Sequence, residues 1–147
     1  MNALIEDNVR VTLPRTLAGG LVATIVVTAM MYFGASMMLG APMDIAGELA
    51  AVLGVPWSLG MVIHFMIGTV VFSFAYALVV GPRLPGHAAI RGLIWGFVLW
   101  LLAMLAMSPM MGKGMFMGAM PQAVASLLGH LAYGVVLGLI VPVSARQ

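Results

Sequence analysis

The sequence predicts an all-α membrane protein, a four-transmembrane-helix bundle built from two tandem helical hairpins. Of its 147 residues, 63% are hydrophobic and only 7% are charged, whereas a soluble domain usually carries roughly a quarter charged residues. The apolar residues fall in four stretches, each near the ~20 residues that a helix needs to cross a ~30 Å hydrocarbon core. Because backbone groups in lipid must be satisfied internally and no alternating barrel strands occur, the stretches are predicted to be helices. The chain is thus a single transmembrane domain in the lipid bilayer.

The four predicted spans cover about residues 17–38, 57–80, 88–107 and 122–143. The second and fourth spans each follow a proline, Pro56 and Pro121, whose missing N–H costs nothing at the start of a helix. These spans therefore have a defined beginning as well as a sufficient length.

The connection between the first and second spans is predicted to contain a short interfacial helix. Asp44 suits its N-cap, Glu48 favours its early turns electrostatically, and Gly54 suits its C-terminal stop. Its apolar face is formed by Ile45, Leu49, Val52 and Leu53. We expect this face to lie on the membrane surface.

The basic residues predict how the bundle is oriented. Five of the six fall on one side of the predicted topology: Arg10, Arg15, Arg83, Arg91 and Arg146. The first and third connections hold Asp44, Glu48 and Lys113 instead. The positive-inside rule makes the arginine side cytoplasmic, and an even number of spans places both the N- and C-termini there. The predicted localisation is the bacterial inner (plasma) membrane, with multiple passes.

The two halves of the chain resemble each other. Gly20 near the start of the first span matches Gly92 in the third, 72 positions later. A His-x-x-x-Gly motif begins at His64 in the second span and again at His130 in the fourth, 66 positions later. The predicted pseudo-repeats are residues 17–82 and 89–143. Each is a two-span hairpin, so an axis along the membrane normal would relate them.

Small residues mark the expected helix contacts, because helices in lipid associate closely only where side chains are small. The second span carries a stripe of Gly60, Gly68 and Ala75, and the fourth carries Gly134 and Gly138. We therefore expect the second and fourth helices to be in close contact.

Two histidines are the ionisable residues deep within the spans. His64 and His130 each lie roughly 10–13 Å from the outer end of their helices at 1.5 Å per residue. His87 lies in the cytoplasmic connection and is predicted to be solvated. Two imidazoles facing each other across a bundle can ligate one metal ion or the iron of haem b. The glycine four residues after each histidine is expected to leave a recess for a porphyrin edge.

Other roles for the His64 and His130 pair stay open. A histidine in a membrane helix also bonds to a carbonyl group or to a serine of a neighbouring helix. The available serines are Ser58, Ser73 and Ser126. A quinone contact is a further alternative, and the absence of any cofactor is the default.

Methionine is the second unusual feature, with 15 residues concentrated around the two outer connections. The densest segment contains Met110, Met111, Met115 and Met117. Thioether sulfur is a soft ligand that favours Cu(I), so these four are candidate metal ligands. Flexible methionine also fills irregular gaps and gives an adaptable docking surface for a partner.

No sequence motif indicates catalysis. The chain has no Gly-rich phosphate loop, no H-E-x-x-H motif, and no Ser/His/acid set in a plausible order. Its six basic residues are dispersed, unlike the clustered footprint of a nucleic-acid-binding protein. We therefore expect neither enzymatic activity nor nucleic-acid binding.

The repeated motif, His64 to Gly68 and His130 to Gly134, resembles the pattern of uncharacterised small four-span bacterial inner-membrane proteins, a domain-of-unknown-function type. The resemblance covers most of the chain. It implies a four-span fold but no activity, because such families have no settled one.

Two functions follow from the sequence. The first is a non-catalytic accessory or structural subunit that packs against a larger membrane complex, such as a respiratory one. The partners expected for the chain are other membrane-protein subunits or further copies of itself. The second is a haem b- or copper-binding membrane protein that uses His64 and His130 together with the outer Met-rich cluster.

Overall fold

The computed structural model describes residues 12–141 and 143 of the chain. Four of its helices are long and apolar enough to cross a membrane: α1 (Leu13–Leu39), α3 (Trp57–Arg83), α4 (Ala88–Met110) and α5 (Met120–Ile140). A short helix, α2 (Ile45–Leu53), connects α1 to α3. The described residues contain no β-strand, and the predicted all-α four-helix membrane fold is confirmed. Arg10 and Arg146, on which the predicted orientation partly rests, lie outside the described residues.

The two ends of the bundle differ in composition. The Met-rich end is formed by the connections 40–56 and 111–119. The Arg-rich end carries Arg15, Arg83 and Arg91. These two names are used below because they imply nothing about which side of the membrane each end faces.

The short helix α2 begins and ends where the sequence predicts. The Asp44 carboxylate accepts a hydrogen bond from the backbone N–H of Gly47 at 3.0 Å and so caps the first turn. Gly54 ends the helix with a φ of 66°, a left-handed conformation that glycine adopts without strain.

The position of α2 differs from the prediction. Leu49 is buried and α2 packs along the first turns of α3, where Gly60 lies against the backbone of Ala46. Part of the apolar face therefore covers the Met-rich end of the bundle. Only its far edge, at Val52 and Leu53, remains exposed for the membrane surface.

The long helices follow the spatial order α4, α5, α1, α3, with close packing between neighbours in that order. Along most of its length α3 makes no comparable approach to α4 or α5 within the described residues. The bundle is thus tight on one side and open beside α3.

The prediction of close contact between the second and fourth spans is wrong. The small residues of the fourth span, Gly134 and Gly138, face α4, where the backbone of Gly92 lies against both. Glycine on both helices lets the two backbones meet. The sequence showed that these glycines would mediate packing but did not identify their partner.

Helices α3 and α5 are linked by a long side chain. The buried Tyr133 of α5 donates a hydrogen bond from its hydroxyl to the carbonyl oxygen of Gly68 on α3, at 2.6 Å. The Phe72 ring packs edge-on against Tyr133, with ring centroids 6.5 Å apart. Because the long Tyr133 side chain is needed to connect α5 to α3, space remains between these two helices inside the bundle.

Three of the four long helices contain wider π-helical turns: Met30–Gly34 in α1, Ile67–Phe72 and Ala75–Val80 in α3, and Ala103–Met107 in α4. A π turn shifts the register of the side chains that follow it, and such turns are frequent at functional sites. Helix α5 has none. The interruptions thus lie in the three helices other than α5.

Candidate metal centre

A cavity of about 210 Å³ lies inside the bundle toward the Met-rich end. Side chains from all four long helices and from α2 line it. Phe72 and Tyr133 lie at its inner limit, and Ile45 and Leu49 of α2 lie on its other side. Both histidines predicted to form a site, His64 and His130, line this cavity together with six methionines: Met31, Met43, Met104, Met107, Met111 and Met117.

His64 is held by a hydroxyl group of α1. Its Nε2 lies 2.9 Å from the Thr28 hydroxyl, and that hydroxyl donates its single proton to the Thr24 carbonyl oxygen at 2.6 Å. The Thr28 oxygen therefore accepts from His64, which places the imidazole proton on Nε2. The Nδ1 nitrogen of His64 keeps its lone pair.

His130 is held by its own helix. Its Nδ1 lies 2.8 Å from the carbonyl oxygen of Ser126, one turn earlier in α5. A carbonyl oxygen only accepts, so the imidazole proton is on Nδ1 and Nε2 keeps its lone pair. The Ser126 hydroxyl is farther from Nδ1, at 3.4 Å.

These bonds leave the two imidazoles in the same chemical condition. Each donates its only N–H to a protein oxygen, which fixes the tautomer and leaves the other nitrogen without a hydrogen-bond partner among the described residues. Metal-binding histidines have this arrangement, in which a bond from one ring nitrogen orients the other toward the ion. Ser73, one of the serines considered as a partner, bonds within α3 to Thr69 instead.

Met31 lines the same cavity as the two histidines. It follows Thr28 by one helical turn on α1, on the helix face that holds His64. Its sulfur also lies 3.6 Å from the place where a Cβ at Gly129, the neighbour of His130, would stand. The side chain is almost fully buried, so the cavity that both imidazoles line also contains a soft ligand.

The four loop methionines predicted as metal ligands are divided between two places. Met111 and Met117 line the cavity, whereas Met110 and Met115 are 68% and 66% exposed and do not. A second recess of about 270 Å³ lies at the surface of the Met-rich end, lined by Glu48, Ala51, Val52, Met110, Met111 and Lys113.

Met117 reaches the cavity from an unusual backbone. Phe116 and Met117 have φ values of 55° and 59°, a left-handed conformation that is costly for residues other than glycine. Ser108 holds this turn, because its hydroxyl donates to the Gly114 carbonyl at 2.6 Å and accepts from the Met117 N–H at 3.0 Å.

The structure does not fit a haem between the two histidines. The recesses expected beside Gly68 and Gly134 are filled, the first by the side chain of Thr24 and the second by the backbone of α4. The cavity of about 210 Å³ is also below the roughly 300–1,000 Å³ of pockets that hold drug-sized ligands. The expectation of a porphyrin slot is therefore wrong, because helix contacts take up the space that the glycines leave.

Charged residues of the Met-rich end hold α2 over the cavity. The Asp44 carboxylate accepts hydrogen bonds from the Tyr32 hydroxyl and from the Trp57 ring N–H at 3.0 Å. Burial of Asp44 favours a higher pKa, but the bonds from Tyr32, Gly47 and Trp57 outweigh it and hold the pKa below its ordinary value. At the other side of α2, Lys113 forms an ion pair with Glu48.

Thr28 and Met31 are site residues that the sequence analysis missed. Together with Thr24 they recur at intervals of three and four residues along α1, the spacing of one helix face. Two threonines at this spacing inside an apolar span, followed by a methionine on the same face, were the available signal.

A protein-family model described as "Family of unknown function (DUF6789)" matches residues 12–147. No curated protein and no solved structure matches the chain.

Proposed function

The chain belongs to DUF6789, a family of unknown function, and from its site we propose that this multi-pass membrane protein binds copper(I) between His64 and His130. One observation carries the proposal. Each imidazole has its N–H bonded to a protein oxygen, which leaves its other ring nitrogen with a free lone pair, and both histidines line the same cavity. A soft metal ion would satisfy both nitrogens at once.

The chemistry of the lining favours copper(I) over harder ions. Imidazole nitrogen and thioether sulfur are neutral ligands that suit this ion, and the buried Met31 supplies a sulfur in the cavity that both histidines line. The described residues contain no group of three or more His, Cys, Asp or Glu side chains placed to hold a metal, whereas Zn²⁺ and Ca²⁺ usually need such sets. In this proposal the protein is not an enzyme and holds or passes on the ion.

The test is a competition for copper(I) in detergent. The purified protein is equilibrated under reducing conditions with Cu(I) and a chromogenic Cu(I) chelator, and copper retention is measured. We expect one bound copper per chain, with at least about 100-fold weaker binding in His64→Ala and in His130→Ala, since even the loss of an outer-shell partner costs 10–100-fold. His87→Ala is the matched control, because His87 is exposed and distant from the cavity.

Thr28 gives a finer test, because it positions His64 without contacting the ion. Thr28→Val keeps the shape but removes the oxygen that accepts the His64 proton, so we expect about tenfold weaker copper binding. Thr28→Ser restores the oxygen and should restore the affinity. Equal binding in wild type and in all of these variants would overturn the proposal.

A second candidate function is that of an accessory subunit in a larger membrane complex. It is supported by apolar side chains that remain exposed near the Met-rich end: Phe33, Met37, Met110, Met115 and Met120. Stoichiometric co-purification of other membrane subunits, lost in Met37→Gln and Met120→Gln, would support this role. A free homodimer would contradict it.

We also propose that the Met-rich end faces outward across the bacterial inner membrane, with both termini in the cytoplasm. Within the described residues, Arg15, Arg83 and Arg91 all lie at the opposite end. Labelling of a single cysteine introduced at exposed Gly40 or at exposed Gly86 by an impermeant reagent tests the orientation. Labelling at position 40 of intact cells, with none at position 86, is the expected result.

A further inference from the structure

We propose that the surface recess beside α2 is the route by which copper(I) reaches the histidines, with Met110 and Met111 as its first binding position. This inference rests on the copper site proposed above. The recess and the cavity share two lining residues, Glu48 and Met111. A single layer of side chains therefore separates the surface from the cavity at this point.

Methionine side chains line both the recess and the cavity, and Met111 is common to the two. Met110 is exposed at the recess, and Met111 is half-buried and lines both spaces. The lining of the cavity also includes Met107 and Met31, together with both histidines. Thioethers are soft ligands without charge, so an ion held by them moves from one to the next without the release of a proton.

The Glu48–Lys113 ion pair closes this route. It joins α2 to the segment after α4, and both residues line the recess. The Lys113 side chain is 38% exposed, and an ion pair so exposed to water is weak enough to open and close readily. When the pair opens, the Glu48 carboxylate becomes free to attract a cation, while the positive charge of Lys113 moves away.

Helix α2 keeps its place when the pair opens. Asp44 at its first turn is bonded to Tyr32 of α1 and to Trp57 of α3. The Lys113 contact is on the Glu48 side of the helix, next to the recess. Opening therefore exposes the recess without releasing the cap of the cavity.

The experiment measures how fast copper(I) passes from a chelator to the protein, and separately how much is bound at equilibrium. We expect Lys113→Gln to load faster than wild type by up to about fivefold, the range that an exposed ion pair supports. Raised salt should accelerate wild type similarly, because it screens the pair, and should not accelerate Lys113→Gln. Met110→Leu together with Met111→Leu should slow loading severalfold.

The matched control is Met37→Leu, a methionine that is 90% exposed and lines neither space; its loading rate should equal that of wild type. Equilibrium copper content separates the two proposals. If wild type binds no copper, the proposed site is wrong. If wild type binds copper through the histidines but the loading rates of the Lys113 and Met110/Met111 variants match wild type, only the route is wrong.

Discussion

The two hairpins of the bundle make a corresponding helix contact that differs at Thr24 and its counterpart Gly96. In the predicted repeat alignment, Gly68 of α3 corresponds to Gly134 of α5, and Thr24 of α1 corresponds to Gly96 of α4. Gly68 lies against the side chain of Thr24, whereas Gly134 lies against the backbone of Gly96. One side chain thus holds the first hairpin apart where the second closes completely.

This difference accounts for where the site lies. In the closed hairpin the backbone of His130 is in contact with α4 at Gly96, so this histidine stands on a fixed support. His64 lies on α3, which packs less closely against its neighbours. The orientation of the His64 imidazole comes instead from its hydrogen bond with Thr28. A ligand site formed by one rigid and one adjustable histidine can adapt to an ion without disturbing the tight half of the bundle.

The largest expected effect comes from making the second hairpin like the first. In Gly96→Thr the new side chain overlaps the His130 carbonyl group, which cannot move unless α4 and α5 separate. We expect a loss of about 3 kcal/mol or more in the free energy of unfolding, measured by denaturant titration in detergent. Gly34→Ala is the control, because its Cβ would meet only Met30, at 3.9 Å. An unchanged stability in Gly96→Thr would show that backbone contact does not hold this hairpin.

The opposite change, which removes most of the Thr24 side chain from the first hairpin, is expected to cost less stability. Thr24→Ala removes the hydroxyl that bonds to the Gly20 carbonyl at 2.7 Å and the methyl group that packs on Gly68. We expect a loss of about 1–2 kcal/mol, because α3 can move toward α1 and fill part of the gap. Thr24 also lines the cavity, so copper affinity should change in this variant and not in Gly34→Ala. A greater loss of stability than in Gly96→Thr would reverse the comparison.

The hydrogen bond from Tyr133 to Gly68, which links the two hairpins, is expected to contribute still less to the free energy of unfolding. Tyr133→Phe removes the bond to the Gly68 carbonyl and keeps the ring that packs on Phe72. Side-chain hydrogen bonds between membrane helices average about 0.6 kcal/mol, so the free energy of unfolding should fall by about 1 kcal/mol or less. A loss near that of Gly96→Thr would mean that Tyr133, rather than glycine packing, organises the bundle.

The smallest effect concerns α2, which lies in the connection of the first hairpin and has no α-helical counterpart in the connection of the second. Because the pKa of Asp44 is lowered in the folded protein, its contribution to stability is complete above the ordinary value of 3.8 and is lost as pH falls through the folded pKa. We expect Trp57 fluorescence to stay constant from neutral pH down to about that value and to change below it. Asp44→Asn should abolish the acid change, and a change centred near neutral pH would contradict the assignment.

The sequence predicted the four spans, α2 and its capping residues because lipid imposes helix length and apolarity, and because local capping chemistry depends on near neighbours. It placed His64 and His130 at one depth, and both line the same cavity. It did not identify Gly92 and Gly96 as the partners of the α5 glycines, since a small residue shows where a helix approaches and not which one. It also missed Thr28 and Met31, whose roles depend on the register between α1 and its neighbours.

The central claim is that copper(I) is bound between His64 and His130, and X-ray absorption at the copper edge of the loaded protein tests it most directly. The account predicts nitrogen scattering from two imidazoles and sulfur scattering from a thioether, with the sulfur contribution reduced in Met31→Leu and unchanged in Met37→Leu. A first shell of oxygen alone, or a spectrum identical in wild type and in the double variant His64→Ala/His130→Ala, would contradict it.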